Sequence, residues 1–188
     1  MYEETVDYKG YTLTIVPDEY ADSPRDWDNI GTMVCFHKRY SLGDKTDYKS
    51  ADYNNWDELL AAVTEQEGPL ISLPLYLYDH SGITIATAPF SCPWDSGQIG
   101  FIYVTSKKAC AEWGWKTLTK KHREQVLEGL NSEVKVYDQY LTGDVYNISV
   151  DKGDEHIGSC GGYYGYEEAL AAGKADVDAE IEHNKKVA

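Results

Sequence analysis

The sequence has little positive charge. Its 188 residues include 17 lysines and arginines against 32 aspartates and glutamates, which gives a formal net charge of −15. Proteins that hold duplex DNA or RNA present a basic face that neutralises phosphates. A chain this acidic is therefore not expected to bind nucleic acid as its main activity.

Long apolar runs and targeting patterns are also missing. A transmembrane helix needs roughly 18 or more consecutive apolar residues, and no such run occurs, so we expect no membrane association. The first residues, Met1 to Glu4, do not form the basic region and apolar stretch of a signal peptide. The sequence therefore predicts a protein of the cytoplasm.

Cysteines are few and widely spaced, at positions 35, 92, 110 and 160, with no C-x-x-C pair. That spacing disfavours a zinc knuckle or a thioredoxin-like redox site and predicts four reduced, mostly buried thiols. Cys35 and His37 with His156 and Cys160 offer zinc ligands, but not at the spacings typical of zinc fingers. We therefore predict neither a metal nor a cofactor.

The glycine-rich stretch 158–165 lacks the motifs of a nucleotide-binding loop. Neither G-x-x-x-x-G-K-[ST] nor G-x-G-x-x-G occurs in it, although it precedes a predicted helix. Glycines inside a strand often mark a bulge or a close backbone approach. We predict a bulged strand followed by a tight entry into the last helix.

What the chain does contain is enough apolar material for a core. Hydrophobic residues make up 42%, and there are 5 Trp, 16 Tyr and 3 Phe. This composition is typical of a folded protein and not of a disordered one. We predict a single globular domain over residues 1–188, with neither an internal repeat nor a flexible linker.

The order of elements predicts the α+β class, with a mostly antiparallel β-sheet and three or four helices packed on it. The connections between several strands are too short for parallel crossovers. Tyr166, Leu170, Gly173, Val177 and Ile181 form the apolar seam of a long C-terminal helix. Predicted strands cover 6–8, 11–16, 31–36, 70–78, 83–88, 98–104, 133–140, 145–150 and 156–164. One predicted helix begins at Trp56, a short one is capped by Ser106 and runs through Trp113, and a third runs from about Thr117 to Leu130.

Positive charge is concentrated in one segment, residues 101–123, which we call the basic island. Its six basic residues against Glu112 give a net charge of +5. It is either a solvated helix face or a weak contact for nucleic acid or another anion. The basic residues are Lys107, Lys108, Lys116, Lys120, Lys121 and Arg123.

Acidic residues collect in two places, the C-terminal helix and the loop of residues 18–28. One interpretation is solubility, and the other is a surface that imitates the phosphate rows of a nucleic acid. Trp94 and Asp95, on a third loop, offer an aromatic anchor for a protein partner. The predicted partner-binding residues are Asp18, Glu19, Asp22, Asp26, Asp28, Trp94, Asp95, Glu167, Glu168, Asp176, Asp178, Glu180 and Glu182.

One set of residues suggests catalysis. Asp79, His80 and Cys92 lie on neighbouring predicted loops, and a cysteine beside a histidine that a carboxylate orients is the arrangement of a thiol nucleophile. The alternative is a turn histidine bonded within its loop and a cysteine packed under Pro93 and Trp94. His122 falls on an apolar helix stripe, which predicts a core or boundary histidine.

Several sequence blocks are distinctive. They are Leu73-Pro-Leu-Tyr-Leu-Tyr-Asp-His-Ser-Gly82, Pro89-Phe-Ser-Cys-Pro-Trp-Asp-Ser-Gly-Gln-Ile-Gly-Phe-Ile-Tyr-Val104, Tyr140-Leu-Thr-Gly-Asp-Val-Tyr146 and Ser159-Cys-Gly-Gly-Tyr-Tyr-Gly165. Over residues 70–166 the chain resembles a group of small acidic proteins encoded by bacteriophages and mobile genetic elements.

Proteins of this size and charge on such elements often counter host defence, among them anti-CRISPR inhibitors of Cas9 and antirestriction DNA mimics. The resemblance implies a non-enzymatic inhibitor in the cytoplasm of a bacterial host. Its partner would be a bacterial nuclease or CRISPR effector, foremost Cas9 with its guide RNA. Two alternatives stay open: a small enzyme using Asp79, His80 and Cys92, and a phage accessory protein with no role in defence.

Overall fold

The computed structural model describes residues 3–187 and contains eight strands and four helices there. It divides into two compact units: a terminal unit of Met1–Ser23 with Gln139–Ala188, and a central unit of Pro24–Asp138. The prediction of a single domain stays a prediction. The elements are β1 Glu4–Tyr8, β2 Tyr11–Pro17, β3 Thr32–Cys35, α1 Trp56–Glu67, β4 Leu70–Asp79, β5 Ile83–Ala86, β6 Ser96–Thr105, α2 Ser106–Glu112, α3 Lys120–Thr142, β7 Val145–Lys152, β8 Glu155–Tyr164 and α4 Tyr166–Val187.

The terminal unit is a four-stranded antiparallel sheet in the order β1-β2-β7-β8, with α4 packed on it. Alternate residues of β2, Tyr11, Leu13 and Ile15, are buried, as the period of a strand requires. The seam of α4 packs against them, and a Cβ added at Gly173 would lie 2.3 Å from Ile148 Cδ1. A glycine there allows the helix to approach the sheet closely.

Strand β8 has the irregularity that its glycines predict. The pairing with β7 shifts between Tyr146 and Ile148, which marks a β-bulge. Gly162 beside the bulge has φ +76°, and Gly165 has φ +105° just before α4 begins. Both values favour glycine, so the bulged strand and the tight helix entry are confirmed.

The central unit has its own antiparallel sheet, in the order β3-β6-β4-β5. Helix α1 is capped by Asn55, whose side chain accepts a hydrogen bond of 2.9 Å from the Glu58 amide. Leu59 and Val63 of this helix are buried with Val34, Phe101 and Tyr103 of the sheet. Helix α2 is capped by Thr105, where the sequence predicted Ser106.

Helix α3 corrects two predictions. The predicted strand at 133–140 is helix, and the helix predicted to end near Leu130 continues to Thr142. Val126, Leu130, Val134 and Tyr137 are all buried at helical spacing, so the apolar stripe continues through the segment. Polar and apolar residues alternate over 133–136, which imitates the period of a strand.

The α+β class and the long C-terminal helix are confirmed, with the strands in two sheets. No helix in the described part of the chain combines the length and the apolar character needed to cross a membrane.

Candidate functional site

The predicted acidic residues of α4 lie on the helix away from its buried seam. Glu167, Glu168, Asp176 and Glu182 are exposed. Asp178 is half-buried, and its carboxylate accepts a 2.6 Å bond from Lys9 Nζ, which raises the pKa of Lys9. Glu180 is also half-buried and accepts a 2.8 Å bond from the Asn184 amide. The helix therefore presents four exposed carboxylates and two that are half-buried and engaged within the unit.

The number of carboxylates along α4 is similar to the number of phosphates along one DNA strand of the same length. Residues 167 and 182 are separated by a rise of about 22 Å at about 1.5 Å per residue. One strand of duplex DNA carries about six or seven phosphates over the same length. Six carboxylates on α4, interrupted by Lys174, give a similar linear charge density.

The acidic loop is divided between the two units. Asp18, Glu19 and Asp22 belong to the terminal unit, and Asp26 and Asp28 belong to the central unit. Asp18 accepts a hydrogen bond of 3.0 Å from the Tyr20 amide and so stabilises its own turn. The others are exposed. Within the terminal unit, therefore, only the first three accompany α4.

At the end of the central sheet, the carboxylate that contacts His80 and Cys92 is not the one that the sequence predicted. Asp95 Oδ2 lies 3.3 Å from His80 Nδ1 and accepts a 3.7 Å bond from the Cys92 thiol. Asp79 is engaged elsewhere, by the Arg39 guanidinium and at 3.5 Å by the Tyr40 hydroxyl. The structure thus brings His80 and Cys92 to one carboxylate, that of Asp95 and not of Asp79.

This arrangement differs from that of a thiol nucleophile. Such a nucleophile passes its proton to an imidazole and needs electropositive surroundings. The Cys92 thiol instead donates to the Asp95 carboxylate. Trp94, on the same loop, is 91% exposed, as an anchor for a protein partner would be.

The six basic residues of the basic island are exposed in the structure. Lys107 and Lys108 lie on α2, Lys116 follows that helix, and Lys120, Lys121 and Arg123 begin α3. Lys108 Nζ donates a 2.8 Å bond to the Asn29 carbonyl.

His122, between the basic residues of α3, is half-buried, and its ring stacks 4.0 Å from that of Trp115. Its Nδ1 lies 2.9 Å from the Thr117 carbonyl. The prediction of a boundary histidine is confirmed.

The four residues considered as zinc ligands divide between the units. Cys35 and His37 belong to the central unit, and His156 and Cys160 to the terminal unit. Among the described residues, no group of three or more His, Cys, Asp or Glu is placed to hold a metal. Burial raises the pKa of Cys35 to about 12. All four thiols are free. Cys35, Cys92 and Cys110 are only partly buried and Cys160 is exposed, so the prediction of mostly buried thiols is wrong.

Sequence reasoning missed an open cleft in the central unit. Its volume is about 1000 Å³, and its walls come from β3, the following loop and the start of α1. Aromatic and basic residues are interleaved along this segment, a pattern that occurs in nucleic-acid and nucleotide sites. Because its aromatic residues follow no helical or strand period, the sequence alone does not indicate a site there. The aromatic lining residues are Phe36, His37, Tyr40, Tyr48, Tyr53 and Trp56.

The loop at the base of this cleft is held by a buried arginine. Arg25 donates to both carboxylate oxygens of Asp44, at 2.9 and 2.7 Å, and to Glu133 at 3.1 Å. Asp44 also accepts from the Met33 amide at 2.8 Å. Its charge is therefore compensated inside the fold, and the loop is fixed to β3.

Comparison with protein-family models, curated proteins and solved structures found no match.

Proposed function

We propose that the protein is a non-enzymatic inhibitor that places its carboxylates in a basic, nucleic-acid-binding cleft of a bacterial nuclease complex. Cas9 with its guide RNA is the proposed partner. The acids of α4, with Asp18, Glu19 and Asp22, form the main contact. Trp94 and Asp95, with Asp26 and Asp28, form a second one.

The unequal division of charge between the two units carries this proposal. The terminal unit has 16 acidic and 5 basic residues, a net charge of −11 on 73 residues. The central unit has 16 acidic and 12 basic residues, a net charge of −4 on 115 residues. Solubility alone does not require such a concentration, and like charges held close together destabilise a fold.

The mechanism would be electrostatic competition. Cas9 holds its guide–target duplex in a positively charged channel and reads the target-adjacent motif with an arginine pair. Carboxylates on a folded helix can contact such arginines with a smaller loss of conformational entropy than those on a flexible segment. Complementary charge also speeds association, and that effect weakens as salt rises.

Titration into a plasmid-cleavage reaction tests the proposal. We expect inhibition of Cas9–guide RNA to be complete near one protein per complex and to weaken between low and high salt. The variant Asp176→Lys/Glu182→Lys changes two exposed positions and the charge on α4 by +4 in total. We expect its inhibition constant to rise by about tenfold or more, as for close charge pairs across an interface.

The matched control is Glu65→Lys/Glu124→Lys, the same change in charge on exposed positions of the central unit. It should inhibit nearly as well as the unaltered protein. Equal weakening in both variants would show that only total charge matters and would overturn the role of α4. No inhibition at large excess would exclude Cas9 as the partner, and turnover at substoichiometric protein would contradict a non-enzymatic mechanism.

A further inference from the structure

The aromatic cleft of the central unit differs in charge from the rest of the chain. Lys38, Arg39 and Lys45 line it, against a single acidic lining residue, Asp44. The first 100 residues contain only six basic side chains, and three of them are therefore at this cleft. In a protein of net charge −15, a locally cationic cavity needs an explanation.

The one acid at the cleft does not cancel these cations. Both oxygens of Asp44 accept hydrogen bonds from the buried Arg25. Lys38 and Lys45 are exposed, and the Arg39 side chain is 64% exposed even though Asp79 holds its guanidinium. The cleft therefore offers positive charge to a ligand that enters from solvent.

The walls of the cleft are aromatic, and their rings pack against the hydrophobic core. Phe36 and Trp56 stack on each other with ring centroids 5.6 Å apart and planes within 21°. Both rings, with Tyr48 and Tyr53, pack against the buried cluster around Val34 and Leu59. Because the core holds these rings, a planar ligand would stack on them without a large ordering cost.

We propose that this cleft binds a nucleoside phosphate, with the base against the aromatic wall and the phosphate near Lys38 and Lys45. Lysine is a common point-charge partner of phosphate, and every base has a face that stacks on an aromatic ring. The volume of about 1000 Å³ lies at the upper end of the range of about 300–1,000 Å³ for ligand pockets.

The same chemistry belongs to a free nucleotide and to one residue of a single strand. The net charge of −15 repels a long polyanion more than a mononucleotide, which favours the free nucleotide. This proposal does not depend on the proposed inhibition, because it concerns residues outside α4 and the acidic loops.

Binding can be followed directly, because Trp56 lines the cleft and changes its surroundings when a ligand stacks there. We would titrate AMP, adenosine, inorganic phosphate and a ten-nucleotide deoxyadenosine strand, by tryptophan fluorescence and by calorimetry at low salt. We expect saturable binding of AMP, with adenosine and phosphate each weaker by about tenfold or more, since each lacks one of the two contacts.

Variants locate the site. Lys38→Gln/Lys45→Gln should weaken AMP by about tenfold or more because both phosphate contacts are lost. Lys107→Gln/Lys121→Gln removes the same charge from the basic island and should leave binding unchanged. Tyr53→Leu keeps apolar packing and removes one ring, so it should weaken AMP and adenosine but not phosphate.

Three results would overturn the proposal: no binding of any of the four probes at millimolar concentration, equal binding of AMP and phosphate, or weakening by the control pair and not by the cleft pair. If the ten-nucleotide strand binds more tightly than AMP and the cleft variants weaken its binding, the ligand of the cleft is a nucleotide within a single strand. If AMP binds as well or better, the ligand is a free nucleotide.

Discussion

The two units use their carboxylates in opposite ways. In the central unit, Asp44 and Glu133 pair with a buried arginine, and Asp138 accepts a 2.7 Å bond from the Ile85 amide. In the terminal unit, most of the carboxylates of α4 face solvent, and the ion pair of Asp178 with Lys9 is half exposed. Net charge therefore says little about function until it is known which carboxylates the fold itself uses.

The difference has a physical origin. A carboxylate taken into a protein needs hydrogen bonds or a cation to offset lost hydration, and such a group then becomes part of the architecture. A carboxylate on an exposed helix face keeps its hydration and contributes little to folding. A buried, paired carboxylate cannot contact a partner unless the fold opens, whereas an exposed one on a helix face can.

The largest effect should follow from removing Arg25. Its side chain is 6% exposed, and Arg25→Met would leave the carboxylates of Asp44 and Glu133 without their cation. We expect the central unit to lose about 3–5 kcal/mol of stability, the usual cost of breaking a buried pair from one side. All five tryptophans lie in this unit, so urea unfolding followed by tryptophan fluorescence measures it.

Arg123→Met is the matched control for this change. Arg123 is exposed on α3, and its replacement should alter stability by less than about 0.5 kcal/mol. If the two variants unfold at the same urea concentration, the carboxylates of the central unit are not structural and the contrast between the units disappears.

The structural use of charge could be anticipated only in part from the sequence. The cap of α1 was predictable, because Asn55 immediately precedes an apolar helical period with acids in its first turn. The seam of α4 was predictable for the same local reason. Glu133 was not, because its role depends on Arg25 and on the Ile30 amide, which lie more than 100 residues away in the chain.

The candidate sites show the same limit. The row of acids on α4 could be predicted, since one helix carries it and helical spacing decides which side chains face away from the core. The aromatic cleft could not, because Phe36, Tyr48 and Trp56 follow no common period and meet only after β3 and α1 pack together. Asp95 was named as a partner contact, but its place between His80 and Cys92 depends on loop geometry.

A smaller effect should appear at high pH in the central unit. The Tyr103 hydroxyl donates a 2.7 Å bond to Glu67, and burial together with that carboxylate raises the pKa of Tyr103 above its usual value of 10. Above pH 10 the unfolded chain ionises this phenol while the folded chain keeps it neutral. The stabilisation is thus complete below pH 10 and is lost progressively as pH rises further.

Tyr103→Phe should therefore lower the free energy of unfolding by about 1 kcal/mol at pH 7, the value of one hydrogen bond. Between pH 9 and 11 this variant should lose less stability than the unaltered protein. Tyr20→Phe, at a side chain that is 91% exposed, is the control. Parallel pH profiles for Tyr103→Phe and the unaltered protein would show that Tyr103 is not responsible for the alkaline loss.

The smallest effect should come from the ion pair of the terminal unit. The side chains of Lys9 and Asp178 are 50% and 48% exposed, and a pair this exposed contributes little to stability because water and salt screen it. Asp178→Asn should thus shift the thermal unfolding of the terminal unit, followed by circular dichroism, by little, and added salt should reduce even that shift. Lys9→Met, which removes the partner, should behave alike. A loss comparable to that in Arg25→Met would mean that α4 needs its carboxylates to stay folded, and the helix could then not offer them to a nuclease.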